Sequence, residues 1–362
     1  MGPVAVVGGG TIGVAWSIVF ARAGRVVALY EPDDARRALA RDDVIRRLRA
    51  LAVCGLLDED PGDVAGRVRP GGDLPSAVRG ATYVQECAPE DADLKRALFE
   101  ELEGLAAPDA VLASSSSAIP PSSLAPAVRD PSRVLVAHPG NPPYLLPVVE
   151  VVPSPLTSAA TVERARGLLS SVGMSPIVLR REVEGFVFNR LQGAVLREAY
   201  CLVRDGVVDP QDVDTVMREG LGRRWAFLGP FETVELNTEG GIDEHAARMG
   251  PAYARMGAER GQHDPWTDEM VAQVSAAVQA RLPRERWRDH VLWRDSALMA
   301  LEAFRRRTPL LAGPSPAEPA GAGGAAAHAA RVEPARAGDP DGGPPDERRA
   351  RSAPPATSTT RS

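Results

Sequence analysis

The stretch VAVVGGGTIGVAWSIVFARAG, residues 4–24, decides the fold. The apolar run 4–7 reads as a strand and leads into Gly8, Gly10 and Gly13, spaced G-x-G-x-x-G. An apolar helical stretch follows at once. A second apolar run, 26–30, ends on Glu31. Strand, tight turn, helix and second strand in this order predict a dinucleotide-binding unit. The first glycine allows the turn, the second lets backbone approach a pyrophosphate, and the third lets helix and strand pack closely. The diphosphate would rest on unpaired N–H groups at the helix start, around Thr11 and Ile12. Glu31 lies at the tip of the second strand. Its carboxylate can accept hydrogen bonds from ribose hydroxyls and would repel a 2′-phosphate, so the expected cofactor is NAD rather than NADP. Arg36 and Arg37 lie nearby, and a basic residue there can rescue NADP binding.

Outward from this unit, residues 1–180 alternate short apolar runs (83–86, 111–113, 134–137, 148–152, 177–179) with helical patterns (33–54, 91–106, 158–172). That alternation predicts an α/β fold, a Rossmann-type doubly wound and largely parallel sheet. After about residue 184 the apolar β runs stop. Helical patterns take over at 186–204, 209–219, 243–260, 265–281 and 284–307 and predict an all-helical C-terminal domain. The expected division is 1–183 for NAD, 184–312 for substrate and dimerisation, and 313–362 as a disordered Pro/Ala/Gly/Arg-rich tail.

Composition bounds the function. The 362 residues are 44% hydrophobic and 25% charged, with net charge −6. No basic stripe suggests nucleic acid. No apolar run reaches the roughly 18–20 residues of a membrane span. The glycine fingerprint stands where a signal peptide would be, so none is expected. The three cysteines form no metal pattern and the five histidines are scattered. Reduced thiols, a cytoplasmic location and no metal are expected.

Chemistry concentrates at 133–152, RVLVAHPGNPPYLLPVVEVV. His138 ends a predicted strand, at the carboxyl edge where ligands bind, and could move a hydroxyl proton beside a nicotinamide. Such a base needs a carboxylate to orient it and stabilise its charged form. Glu150, a lone acid in an apolar strand, is the candidate. Asn141 follows His138 in a proline-fixed loop. Upstream, Ser114, Ser115, Ser116 and Ser117 end another strand, and spacing alone does not choose among their hydroxyls. Asn189, in GFVFNRLQGAVLREAY, either reaches back to the cleft or makes an interdomain hydrogen bond.

Four segments resemble the 3-hydroxyacyl-CoA dehydrogenase family: GGGTIG, the serine turn, H-x-x-N-P with a glutamate twelve residues after the histidine, and GFVFNR. The resemblance implies a catalytic His138 with Glu150 as partner, Ser117 and Asn189 on the substrate, and a homodimer through the helical domain. It further implies that Glu90 and Lys95, in QECAPEDADLKRALF, contact the cofactor. Lys95 is the only lysine of the chain. YVQECAPED, GLGRRWAFLGPFET and RERWRD narrow the likeness to the lambda-crystallin branch, whose mammalian members are L-gulonate 3-dehydrogenases. It covers about residues 3–307.

The expected reaction is NAD-linked oxidation of a 3-hydroxyl. Arg224, beside Arg223 and Trp225, offers a bidentate clamp for a free carboxylate. That favours a small L-gulonate-like hydroxy acid over a 3-hydroxyacyl-CoA. Carnitine, whose quaternary ammonium would face Trp225, comes third. A crystallin-like, NAD-binding structural protein is the non-enzyme alternative; the presence of both His138 and Glu150 argues for catalysis.

Overall fold

Val4 and Val6 bury their side chains on one face of the central strand, Ala5 and Val7 on the other, each in a separate apolar core. This period of two with both faces covered explains why the strands read as unbroken apolar runs. The computed structural model describes residues 2–226, 229–235, 241–260, 269 and 283–307. The described residues belong to one compact unit.

Eight strands form one sheet: β1 (Val4–Val7), β2 (Val27–Tyr30), β3 (Val68–Gly71), β4 (Tyr83–Glu86), β5 (Val111–Ser114), β6 (Val134–Pro139), β7 (Val148–Pro153) and β8 (Ser175–Val178). Their order is 3-2-1-4-5-6-7-8. Strands β1 to β6 run parallel; β7 pairs antiparallel with β6, and β8 parallel with β7. Chain order reverses at β1, so the C-terminal ends of β1 and β4 flank the crevice where a dinucleotide binds.

The long helices of this half are α1 (Thr11–Arg22), α2 (Asp34–Val53), α5 (Ala92–Leu105) and α6 (Ala159–Ser171), with two short ones, α3 (Pro61–Ala65) and α4 (Leu74–Val78). Asp33, Asp91 and Ser158 accept first-turn N–H groups and so fix where α2, α5 and α6 begin. The short strand β3 was not foreseen. Its sequence, VRPG, has no apolar run, and its proline is tolerated because it lies at the sheet edge.

Beyond residue 184 the described residues form helices only: α7 (Phe188–Arg204), α8 (Pro210–Val216), α9 (Gly222–Trp225), α10 (Pro230–Glu235), α11 (Gly241–Arg260) and α12 (Trp287–Arg307). A π-helical turn over Met217–Leu221 joins α8 to α9. Met299 and Ala303 of α12 are buried in the same core as Tyr144 and Leu145 of the β6–β7 loop. The helix expected at 265–281 and the tail at 313–362 lie outside the described residues, apart from position 269.

Candidate active site

The glycine turn has the shape its spacing predicts. Gly8 adopts φ +112°, and a Cβ there would stand 2.7 Å from the Cys87 carbonyl oxygen. A Cβ on Gly13 would stand 1.8 Å from the Gly8 carbonyl oxygen, whereas one on Gly10 would meet nothing within 4 Å. Gly10 is thus the open face of the turn. No side chain caps α1, so the N–H groups at Thr11, Ile12 and Gly13 are presented there. At the tip of β2, Glu31 accepts the Gly9 N–H at 2.9 Å and the Asp33 N–H at 3.2 Å. Arg37 donates to the Glu31 carbonyl oxygen and pairs with Asp34, which holds its guanidinium on the backbone. An open glycine face, an uncapped helix start and a carboxylate at the strand tip fit a dinucleotide without a 2′-phosphate. Behind the turn, burial pushes the Cys87 thiol up to about 12, so it is a protonated, inert group.

The serine turn engages its four hydroxyls unequally. The Ser114 hydroxyl donates to Glu86 at 2.5 Å. That of Ser115 bonds Gln85 Nε2 at 2.8 Å and contacts Cys87 Sγ. Ser116 donates to Glu90. Ser117 is exposed, and only its backbone is engaged: its N–H donates to Glu90 at 3.0 Å, and its carbonyl oxygen accepts from Asn189 Nδ2 at 3.0 Å. Among the described residues, Ser117 alone of the four keeps a hydroxyl for a ligand.

His138 and Glu150 meet across the antiparallel pair. The β6–β7 register sets them opposite one another, and Nδ1 of His138 lies 2.7 Å from Glu150 Oε2. The other carboxylate oxygen accepts the N–H groups of Val187 at 2.7 Å and Phe188 at 3.0 Å. These belong to the N-terminus of α7, whose dipole favours a negative charge. Burial works to raise the Glu150 carboxyl. The His138 bond and the two backbone N–H bonds outweigh it and hold the group below the ordinary carboxylate range. An ionised Glu150 accepts the Nδ1 proton, the tautomer that in a neutral imidazole leaves the lone pair on Nε2. Gly185 at φ +74° and Phe186 at φ +49° make the turn that aims α7 at Glu150. For buried Phe186 this left-handed backbone stores about 1–3 kcal/mol of strain. Its ring packs 5.7 Å from the His138 ring, with Phe188 edge-on at 6.3 Å.

These contacts bring together four of the residues singled out in the sequence: His138, Glu150, Ser117 and Asn189. Glu90 lies in the same network, gathering the serine turn. Lys95 is 1% exposed and donates to Glu86 at 2.7 Å and to the Ala88 carbonyl at 3.1 Å. Asn141 is exposed in the β6–β7 loop, its peptide bond to Pro142 cis. Arg224 is exposed on α9. Asn141 takes no part in the hydrogen bonds described above. Glu86, at the end of β4 and fully buried, escaped the sequence reading. Its signal resembled the one that marked Glu150, an acid in a strand that is otherwise uncharged, with the only lysine nine residues on.

Two family models match the chain: the NAD-binding domain of 3-hydroxyacyl-CoA dehydrogenase over residues 3–183, and the C-terminal domain of that enzyme over residues 185–279. A lambda-crystallin homolog from Bos taurus is 40% identical over 314 residues, 85% of this chain and 97% of its own. An L-carnitine dehydrogenase/betainyl-CoA thioesterase from Agrobacterium fabrum is 35% identical over 299 residues, 82% of this chain and 60% of its own. A solved structure of 5-formyl-3-hydroxy-2-methylpyridine 4-carboxylic acid 5-dehydrogenase, an NAD+-dependent dismutase, superposes with a TM-score of 0.73 at 29% identity. It covers 86% of this chain and 99% of that one.

Proposed function

The chain belongs to the 3-hydroxyacyl-CoA dehydrogenase family, an NAD-dependent oxidoreductase acting on a CH–OH group, and on that premise we propose that it oxidises the 3-hydroxyl of a small free hydroxy acid of the L-gulonate type. The observation that carries the chemistry is the His138–Glu150 contact at 2.7 Å. Ionised Glu150 keeps the proton of His138 on Nδ1. Nε2 then takes the substrate hydroxyl proton, and the carboxylate stabilises the imidazolium that forms. Bound NAD supplies the hydride acceptor. The Ser117 hydroxyl and the Asn189 amide hold the substrate oxygen where charge gathers. Gly8, Gly10, Thr11, Ile12, Gly13 and Glu31 hold the cofactor together with Glu90, while Lys95, which the resemblance also set on the cofactor, is 1% exposed and acts through its pairing with Glu86 and Glu90. In this division residues 1–183 serve NAD, and 184–312 serve substrate and dimer.

The preference for a free acid rests on Arg224 beside Trp225 on α9, with Asn141 completing the substrate side. The solved relative with the 0.73 TM-score is itself named for a carboxylic acid. Initial rates of NADH formation with L-gulonate, 3-hydroxybutyrate, L-carnitine and a short 3-hydroxyacyl-CoA test it. L-gulonate or another free hydroxy acid should give the highest kcat/KM. The Arg224→Ala variant should raise KM for that acid about tenfold with kcat little changed. Highest kcat/KM with the CoA ester would move the enzyme to acyl-CoA oxidation and remove the clamp.

Leu191 and Leu196 of α7 are exposed, which supports a homodimer through the helical domain. Sedimentation velocity should return twice the chain mass; a monomer at micromolar concentration would refute it. The free thiols Cys54, Cys87 and Cys201 fit a cytoplasmic, reducing location, which cell fractionation would check.

A further inference from the structure

The site leans on a buried ion pair that the chemistry above does not use. Glu86 is 0% and Lys95 1% exposed. One Glu86 oxygen accepts Lys95 Nζ at 2.7 Å and the Ala88 N–H at 2.6 Å; the other accepts the Ser114 hydroxyl at 2.5 Å. The ammonium also meets the Ala88 carbonyl at 3.1 Å and Glu90 Oε2 at 3.6 Å. Its three donors thus face three acceptors. The remaining oxygen of Glu90 gathers the Ser116 hydroxyl and the N–H groups of Ser117 and Ala118. A continuous polar chain therefore runs from the end of β4 through α5 to Ser117.

A buried ion pair adds little stability over apolar side chains of similar volume, so its use here calls for a geometric reason. Composition points the same way. Of 42 basic residues this is the one lysine. A compact ammonium on a thin stem fills a three-acceptor pocket that a planar guanidinium does not fit.

We propose that the Glu86–Lys95 pair is a positioning device for Ser117: it holds Glu90 against the serine turn, so that the Ser117 hydroxyl stays presented to the substrate oxygen. The role in turnover rests on the dehydrogenase reading; the mechanical role does not.

The test is the double variant Glu86→Gln/Lys95→Met, which removes both charges together. Lys95→Met alone would strand a buried carboxylate and unfold the chain. Hydrogen exchange read by mass spectrometry should speed up about tenfold or more at the amides of Ser117 and Ala118, with β1 and β6 unchanged. The kcat should fall about tenfold or more at little cost in KM for NAD. In a Ser117→Ala background the double variant should cost almost nothing further, because the pair acts through that hydroxyl. Unchanged exchange in the turn, or an equal loss of kcat in the Ser117→Ala background, overturns the proposal. Should the double variant not fold, Glu86→Asp, which keeps the charge and shortens its reach, is read by the same two criteria. Absence of NADH formation by the parent with every hydroxy acid, with L-carnitine and with the 3-hydroxyacyl-CoA would sink the dehydrogenase reading, while the exchange data would still decide the mechanical claim.

Discussion

The His138→Asn variant is expected to lose about a thousandfold in kcat while binding NAD as tightly as the parent. The substituted amide cannot take the hydroxyl proton, and the substitution leaves the glycine turn unchanged. Glu150→Gln is expected to cost nearly as much, for a reason that the geometry supplies. The Glu150 carboxylate accepts three donors: His138 Nδ1–H and the N–H groups of Val187 and Phe188. A glutamine has one acceptor oxygen. If that oxygen serves the two backbone groups, its NH2 faces Nδ1 and forces the imidazole into the opposite tautomer. Nε2 then carries the proton and is no longer a base. Stopped-flow NADH formation and NAD titration measure both variants. The double variant should be no worse than either single one, since the two residues act as a unit. Turnover by His138→Asn within tenfold of the parent would remove His138 from the chemistry.

Acid behaviour follows from the same carboxylate. Its pKa in the fold lies below the ordinary value of 4.5. Its contribution to stability is present above the unfolded-state value and is lost as pH falls through the lower folded one. The dyad therefore contributes fully above about pH 4.5 and is lost as pH falls further, so Glu150→Gln should lose part of the parent's acid sensitivity below that point.

The second large effect is at Gly13. An alanine Cβ would stand 1.8 Å from the Gly8 carbonyl oxygen, a backbone atom of the turn that leaves β1, where the Gly8 N–H donates to the Tyr30 carbonyl oxygen of β2 at 2.8 Å. No rotamer relieves that overlap, so either the turn or α1 must move. We expect Gly13→Ala to cost about 3 kcal/mol or more and to abolish NAD binding. Gly10→Ala is the informative contrast. Its Cβ meets nothing within 4 Å, and Gly10 has an ordinary extended backbone. Stability should be unchanged, and only NAD affinity should fall, because the methyl occupies the space a pyrophosphate needs. Denaturant midpoints and NAD titration of the two variants separate the roles. A loss of stability at Gly10 equal to that at Gly13 would mean that the turn is purely structural.

Much of this was legible beforehand for a physical reason. A parallel sheet covered on both faces writes its strands as continuous apolar runs. Seven of the eight strands carried an apolar run, though β8 is largely exposed, and β3, a short edge strand with a proline, did not. His138 and Glu150 stood out because an acid within an apolar strand requires a partner.

The amino-acid sequence by itself determined the cofactor cradle, since only glycine suits positions 8 and 13, and it determined the chemistry of the dyad, since the residue types are local. The tertiary structure decided the rest. The turnaround from β6 to β7 placed His138 opposite Glu150, because pairing register is a property of two strands and not of one. Partners distant in sequence used up the hydroxyls of Ser114, Ser115 and Ser116 and left that of Ser117 open. Burial of Glu86 with Lys95 likewise arises only when β4, β5 and α5 pack, because the cost of an unpaired charge exists only once water is gone.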